Sequence, residues 1–200
     1  MNDYLVIDLE ATCDDSDRVP RSETEIIEIG AVRVDGTTLL PVAEFQTFVR
    51  PVRHPRLTAF CTTLTTIGQA EVDGAPGFPA ALAALARFMG AGPPPLFASW
   101  GNYDRGQFEQ DARFHGLALP FGGQHLNLKQ AFSDQLGNRK LFGMHRALAR
   151  VALPLDGTHH RGIDDARNIA KLLPFCLGRA PFPAPPEGWR RADPSARPEG

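Results

Sequence analysis

The order in which hydrophobic periodicity changes along the chain limits its architecture most. Residues 4–9 form a short apolar run rich in β-formers, read as a buried strand. Residues 25–34 form a longer β-rich run, stopped by Asp35-Gly36, a pair favoured in two-residue hairpin turns. The return strand falls within residues 38–49, where Phe45, Thr47 and Val49 alternate with Glu44, Gln46 and Phe48. The period then lengthens. Leu82, Leu85, Ala86 and Met89 lie at helical spacing in 79–89, and glycines and prolines stop that helix before a short strand at 96–99. Further helices are expected at 104–115, 128–136, 144–151 and 163–173, the last running on toward Cys176 past Pro174. An early antiparallel hairpin followed by strand–helix alternation gives an α/β fold with a sheet of mixed direction.

A chain of 200 residues is one domain of ordinary size, and 42% hydrophobic residues suffice for a core. We place that domain at residues 1–178. Residues 179–200 hold six of the 18 prolines and almost no aliphatic pattern, so a disordered tail is expected there. Within it, Trp189, Arg190 and Arg191 could touch a nucleic acid or a partner, but a solvated appendage is the simpler reading. A formal charge of −2 argues against wrapping duplex DNA by phosphate neutralisation alone. It leaves room for a nucleic-acid enzyme whose bound cations supply the positive charge. Cys13, Cys61 and Cys176 are scattered and odd in number, which suggests neither a disulfide framework nor a zinc knuckle. No secretory signal and no membrane-length apolar stretch is visible, so a cytoplasmic protein without membrane contact is expected.

Four acids stand where chemistry is often placed. Asp8 and Glu10 lie two apart at the end of the first strand, so their side chains share one side and can converge. Two such carboxylates repel unless one is protonated or a cation lies between them. Asp104 follows the 96–99 strand and opens a helix, at the carboxyl edge of the sheet where ligands usually bind. As an isolated residue it would be read as a helix cap. Asp165 shares its helix face with Ile169 and Leu172, which pack inward. Asp164 shares the opposite face with Arg167, Asn168 and Lys171, read as the solvent side. An inward aspartate needs a partner: an arginine, backbone N–H groups that it caps, or a metal ion. His160 stands just before that helix. All-oxygen donors suit Mg²⁺ or Mn²⁺, and two such ions roughly 3.5–4 Å apart can hold the attacking and leaving oxygens of a phosphodiester displacement. A nearby histidine can take the attacking water's proton.

Four ordered stretches carry a resemblance. They are Val6-Ile7-Asp8-Leu9-Glu10-Ala11-Thr12, Glu25-Ile26-Ile27-Glu28-Ile29-Gly30-Ala31-Val32, Trp100-Gly101-Asn102-Tyr103-Asp104, and His160-Arg161-Gly162-Ile163-Asp164-Asp165-Ala166. Together the sequence resembles the DEDDh 3′-to-5′ exonucleases of the ribonuclease H-like superfamily. The stretch from Phe60-Cys61 to Val72-Asp73 is similar to the branch of the 3′ histone-mRNA exonuclease and its bacterial relatives. The resemblance implies a mixed five-stranded sheet flanked by helices. It implies two divalent ions, Mg²⁺ or Mn²⁺, held by Asp8, Glu10, Asp104 and Asp165, with His160 as general base. Nucleoside 5′-monophosphates would be released from a 3′ end. His159 and Asp164 fall one position off the pattern.

Substrate contacts follow less directly. Tyr103 or Phe60 could stack on the 3′-terminal base, although Phe60 also reads as a plain core residue. Ala11 and Thr12 occupy the family position that meets the terminal sugar. Glu28 reads either as an acceptor behind the metal ligands or as a solvent-facing residue. The expected partner is single-stranded nucleic acid, RNA ahead of DNA, with no protein partner legible. A DNA exonuclease of the proofreading-subunit type would share every motif, and a non-catalytic nucleic-acid-binding module on the same fold is the alternative of another class.

Overall fold

A computed structural model describes residues 2–16 and 18–186. Trp189, Arg190 and Arg191, and with them most of the expected tail, lie outside the described residues. Alternation along the first strand, β1 (Tyr4–Ala11), divides the molecule into two layers. Leu5, Ile7 and Leu9 point to one side of the sheet and Val6 to the other. Because side chains alternate, Asp8 and Glu10 share the side of Val6.

β1 pairs antiparallel with β2 (Ile26–Val34), which pairs antiparallel with β3 (Pro41–Phe48). On its other edge β1 runs parallel to β4 (Leu96–Ser99), and β4 parallel to β5 (His125–Asn127). Among the described residues the sheet therefore has five strands in the order β3-β2-β1-β4-β5. Helices α1 (Ala59–Thr65), α2 (Gln69–Asp73) and α3 (Phe78–Met89) fall between β3 and β4, and α4 (Tyr103–His115) follows β4. After β5 come α5 (Leu128–Gln135), α6 (Met144–Arg150) and α7 (Gly162–Cys176). Leu5, Ile7 and Leu9 pack against Leu82 and Leu85 of α3 and Phe108 of α4. Val6 and Val32 pack against Phe132, Leu148, Ile169 and Leu172 on α5, α6 and α7. The mixed-direction α/β sheet expected from the sequence is present, with helices on both faces.

Local chemistry explains the departures. The hairpin between β2 and β3 is not a two-residue turn at Asp35-Gly36. Asp35 Oδ1 accepts the N–H groups of Thr37 (3.0 Å) and Thr38 (2.7 Å). The loop thus lengthens to residues 35–40, and Leu39 takes the positive φ of 57°. The side chain of Asp35 competes with the tight turn for those donors. α1, α2 and β5 add to the expected elements; α2 and β5, five and three residues long, are too short to repeat a period, and α1 (AFCTTLT) is rich in threonine, a poor helix former. Helix α7 continues past Pro174, which costs one backbone bond near its last turn while Leu172, Leu173 and Cys176 stay packed inward. Asn168 is not on a solvent face. It is fully buried, because its amide donates to the carbonyls of Asp156 and Asp164 while its Oδ1 accepts from Asp156 N–H. Residues 181–186 lack regular structure, yet Phe182 packs edge-on against Phe132 at 5.2 Å between centroids. No helix of the described residues is long and apolar enough to cross a membrane.

Candidate active site

Three elements converge at the carboxyl edge of the parallel strands. β1 delivers Asp8 and Glu10, opposite Gly30 and Glu28 of β2. The turn after β4 leads into the first residues of α4 and delivers Asp104. The first turn of α7 delivers Asp165, 4% exposed, as the helical-face argument required. Carboxylate oxygens of Asp8, Glu10 and Asp165 lie within 4.8 Å of one another. Asp104 sits beside them on the wall of the same cleft, its Oδ1 accepting the Leu9 N–H at 3.0 Å. The cleft encloses about 340 Å³. Leu64, Trp100, Tyr103 and Met144 supply its apolar lining, and His159 and His160 its rim.

The electrostatics of this cluster are unrelieved. Burial pushes Asp8 well above the usual carboxylate range, and the charges of Asp104, Glu10 and Asp165 push it further. Glu10 is raised to about 8 by burial and then by Asp165, Glu28 and Asp104. Asp104 rises to about 6 through burial, which the Leu9 N–H opposes, and burial also raises Asp165. No described residue donates a hydrogen bond to the carboxylate of Asp8 or Glu10. Converging, largely buried oxygens, those of Asp8 and Glu10 without donors, fit a hard divalent cation, which would relieve the repulsion that otherwise holds protons on them.

The histidine loop folds back on Asp165. His160 adopts φ 62°, a left-handed conformation that costs a non-glycine residue about 1–2 kcal/mol. The kink turns its backbone N–H onto Asp165 Oδ2 at 3.0 Å. The His160 ring has no hydrogen-bond partner among the described residues, and burial followed by the neighbouring His159 lowers its pKa. His159, which the sequence reading set aside, also reaches the site. Its Nδ1 bonds Asp165 at 2.9 Å and its ring stacks on that of His160, 4.0 Å between centroids. A lone spacing pattern could not reveal that the kink brings adjacent residues to the same side.

The other expected contacts divide. Tyr103 is half exposed and lines the cleft. It also lines a neighbouring cleft of about 490 Å³, floored by Thr12, Gln107 and Gln110. Ala11 lines the carboxylate cleft, whereas Thr12 lines only the neighbouring one and its Oγ1 accepts the Glu25 N–H at 2.9 Å. Phe60 is not a core residue; it is 38% exposed on α1, where Cys61 and Thr65 take the inward positions and Leu64 lines the cleft. Glu28, 0% exposed, does not face solvent and is not among the converging ligands.

Such a sheet, with buried acids converging beside a histidine loop, is a ribonuclease H-like scaffold carrying a carboxylate cluster that could hold a metal ion. The family model described as Exonuclease, RNase_T, matches residues 5–173, and the chain belongs to that family. It is 36% identical over 179 residues to ERI1 exoribonuclease 3 of Mus musculus, covering 85% of this chain and 52% of that one. With the Bacillus subtilis protein named "Probable 3'-5' exonuclease KapD" it shares 31% identity over 174 residues, 86% of this chain and 83% of the other. The chain thus spans about half the length of the animal relative and most of the bacterial one. The nuclease domain of 3'hExo, a DEDDh family member solved with rAMP, superposes with a TM-score of 0.77 at 25% identity, over 92% of this chain and 97% of that one. The chain thus carries an Exonuclease (RNase_T) domain, similar to that of proteins named as 3′-5′ exonucleases and of a DEDDh family member.

Proposed function

We propose that the protein hydrolyses single-stranded RNA or short oligonucleotides from the 3′ end, releasing nucleoside 5′-monophosphates. The observation that carries this reading is the convergence of Asp8, Glu10 and Asp165 within 4.8 Å, without hydrogen-bond donors to Asp8 or Glu10. Those three, with Asp104, would hold two Mg²⁺ or Mn²⁺ ions, whose charge stabilises the attacking and leaving oxygens of the displacement. The chain's own groups do the rest. His160, with its pKa held low and its ring nitrogens free of hydrogen-bond partners among the described residues, is neutral near pH 7 and accepts the attacking water's proton. His159 holds Asp165 from the solvent side. The exposed ring of Tyr103 offers a stacking surface for the terminal base between the two clefts.

RNA is favoured because the named relatives include exoribonucleases and a nuclease domain solved with a ribonucleotide. A cytoplasmic setting suits three unpaired thiols. The test is digestion of a 5′-labelled single-stranded RNA and its DNA counterpart, in Mg²⁺, in Mn²⁺ and in EDTA, beside Asp8→Ala. The expected result is a metal-dependent ladder shortening from the 3′ end, faster on RNA and absent in the variant. DNA degraded much faster than RNA would replace the substrate class. Tight binding with no ladder on either strand would favour a binding module.

A further inference from the structure

One buried acid on the metal side of the sheet has no part in the chemistry above. Glu28 is the ladder partner of Glu10 and is 0% exposed. Its carboxylate turns away from the cleft. Oε2 accepts the Gly162 N–H at 3.0 Å and Arg161 Nε at 3.2 Å, and Oε1 accepts Gln46 Nε2 at 2.6 Å. Gly162 is the first residue of α7 and Arg161 its cap, so Glu28 closes the amino end of that helix with a negative charge.

The same spot is a backbone-to-backbone contact. A Cβ on Gly30, two residues along β2, would lie 2.1 Å from the carbonyl carbon of Gly162. A Cβ on Gly162 would lie 3.0 Å from the Asp8 carbonyl oxygen. The start of α7 therefore rests directly on the strands that carry Asp8 and Glu10. Hydrogen bonds run on from there: the Arg161 carbonyl accepts the Asp165 N–H at 2.9 Å, and Asp165 Oδ2 accepts the His160 N–H at 3.0 Å. Arg161 is further held over the Phe48 ring, 5.3 Å from its centroid. A carboxylate here adds to the repulsion felt by Asp8 and Glu10.

We infer that Glu28 is a positioning residue for the exonuclease reaction, strapping Arg161 and Gly162 to β2 so that Asp165 and His160 meet Asp8 and Glu10 in register. The inference rests on the active-site reading above and deepens it. Misplacement of reacting groups by about 1 Å costs about 10²-fold in rate. Glu28→Ala should therefore lower kcat on a 3′-hydroxyl single-stranded oligonucleotide by about 10²-fold. KM should stay within about threefold, and Mn²⁺ binding read by electron paramagnetic resonance should weaken. Glu28→Gln, whose amide oxygen still accepts the Gly162 N–H, should recover about tenfold of that loss. Arg161→Ala leaves β2 intact and tests the strap even where Glu28→Ala does not fold. Its kcat should fall about tenfold with KM unchanged.

A folded Glu28→Ala with kcat and Mn²⁺ affinity within about threefold of the parent would overturn the inference. So would an Arg161→Ala that keeps its kcat, or one that raises KM alone, which would make Arg161 a strand contact. Asp165→Ala and His160→Ala run beside these variants separate the two failures. If they keep activity, the active-site reading itself is wrong; if they lose it while Glu28→Ala and Arg161→Ala do not, only the strap is.

Discussion

Two clusters of buried acids sit on this sheet, and they are satisfied in opposite ways. Behind β2, Glu25 accepts the backbone N–H groups of Val52, Arg53 and His54 at 2.7–2.8 Å. Asp111 beside it accepts the Ile26 N–H at 2.7 Å and pairs with Arg53 at 3.4 Å. Both acids are at most 3% exposed, and every charge has a donor. Under α7, Asp8 and Glu10 are as crowded but no described residue donates to them. Burial depth does not separate the clusters; the supply of donors does. Acids given backbone N–H groups and an arginine hold a loop in place. Acids denied them, and aimed at each other across a cleft, keep their repulsion and are suited to a cation.

Substitution should break the two clusters differently. Asp8→Ala or Asp165→Ala removes a converging ligand and should abolish 3′-end shortening, a loss of 10³-fold or more on the order of what dismantling a two-ion site costs. For Asp8→Ala the melting temperature should hardly fall, because a repelling charge leaves and no donor is stranded; Asp165→Ala also strands the His160 N–H and should lower it modestly. Glu25→Ala strands three backbone donors at about 1–3 kcal/mol each, and a Tm drop of roughly 6 °C or more follows. Its kcat below that transition should stay within about threefold, since nothing it holds touches the cleft. Melting curves and single-turnover digestion on the four proteins decide this. A Glu25→Ala that kept its Tm and lost its rate would reverse the assignment of the clusters.

The histidines sharpen the contrast within the active cluster. His160→Ala should lose about 10²–10⁴-fold in rate at unchanged Mn²⁺ affinity, because only proton transfer is removed. His159→Ala removes a bond to Asp165 and should cost about tenfold, the low end of what a hydrogen bond to a charged group contributes, since the His159 side chain is 44% exposed. Larger loss at His159 than at His160, measured with saturating metal, would exchange their parts in the reaction.

Much of this was legible because the signals were periodic. Alternation in β1 predicted that Asp8 and Glu10 share a side, and the 3.6-residue repeat of α7 turned Asp165 inward and Asp164 outward. What escaped the sequence depends on contacts between distant segments. Asn168 is buried by a loop that its own amide holds down. His159 joins the site through a backbone kink at His160 that no residue type announces. The partners of Glu28 lie 18 and 134 residues away, so neither spacing nor composition could distinguish a strap from a surface acid. The Asp35-Gly36 turn failed for a local reason, since the aspartate's own side chain offered the loop a competing acceptor.

A pH dependence of stability that metal should erase tests the same cluster without touching the reaction. Glu10 has a folded pKa raised from 4.5 to about 8, chiefly by burial. A carboxylate whose folded pKa lies above its unfolded one contributes fully to stability below the unfolded value. That contribution is lost as pH rises through the folded value. In EDTA the active cluster should therefore lower Tm progressively between about pH 4.5 and pH 8. Divalent cation should restore more at pH 8 than at pH 5.5, since cation and proton compete for the same oxygens. Glu10→Gln should flatten the EDTA profile, while Glu25→Ala should shift it downward without changing its slope. Melting scans of the three proteins with and without Mn²⁺ read this directly. Equal slopes in parent and Glu10→Gln would mean that the crowded carboxylates relax apart when empty, and that the convergence under α7 is made by the cation rather than by the fold.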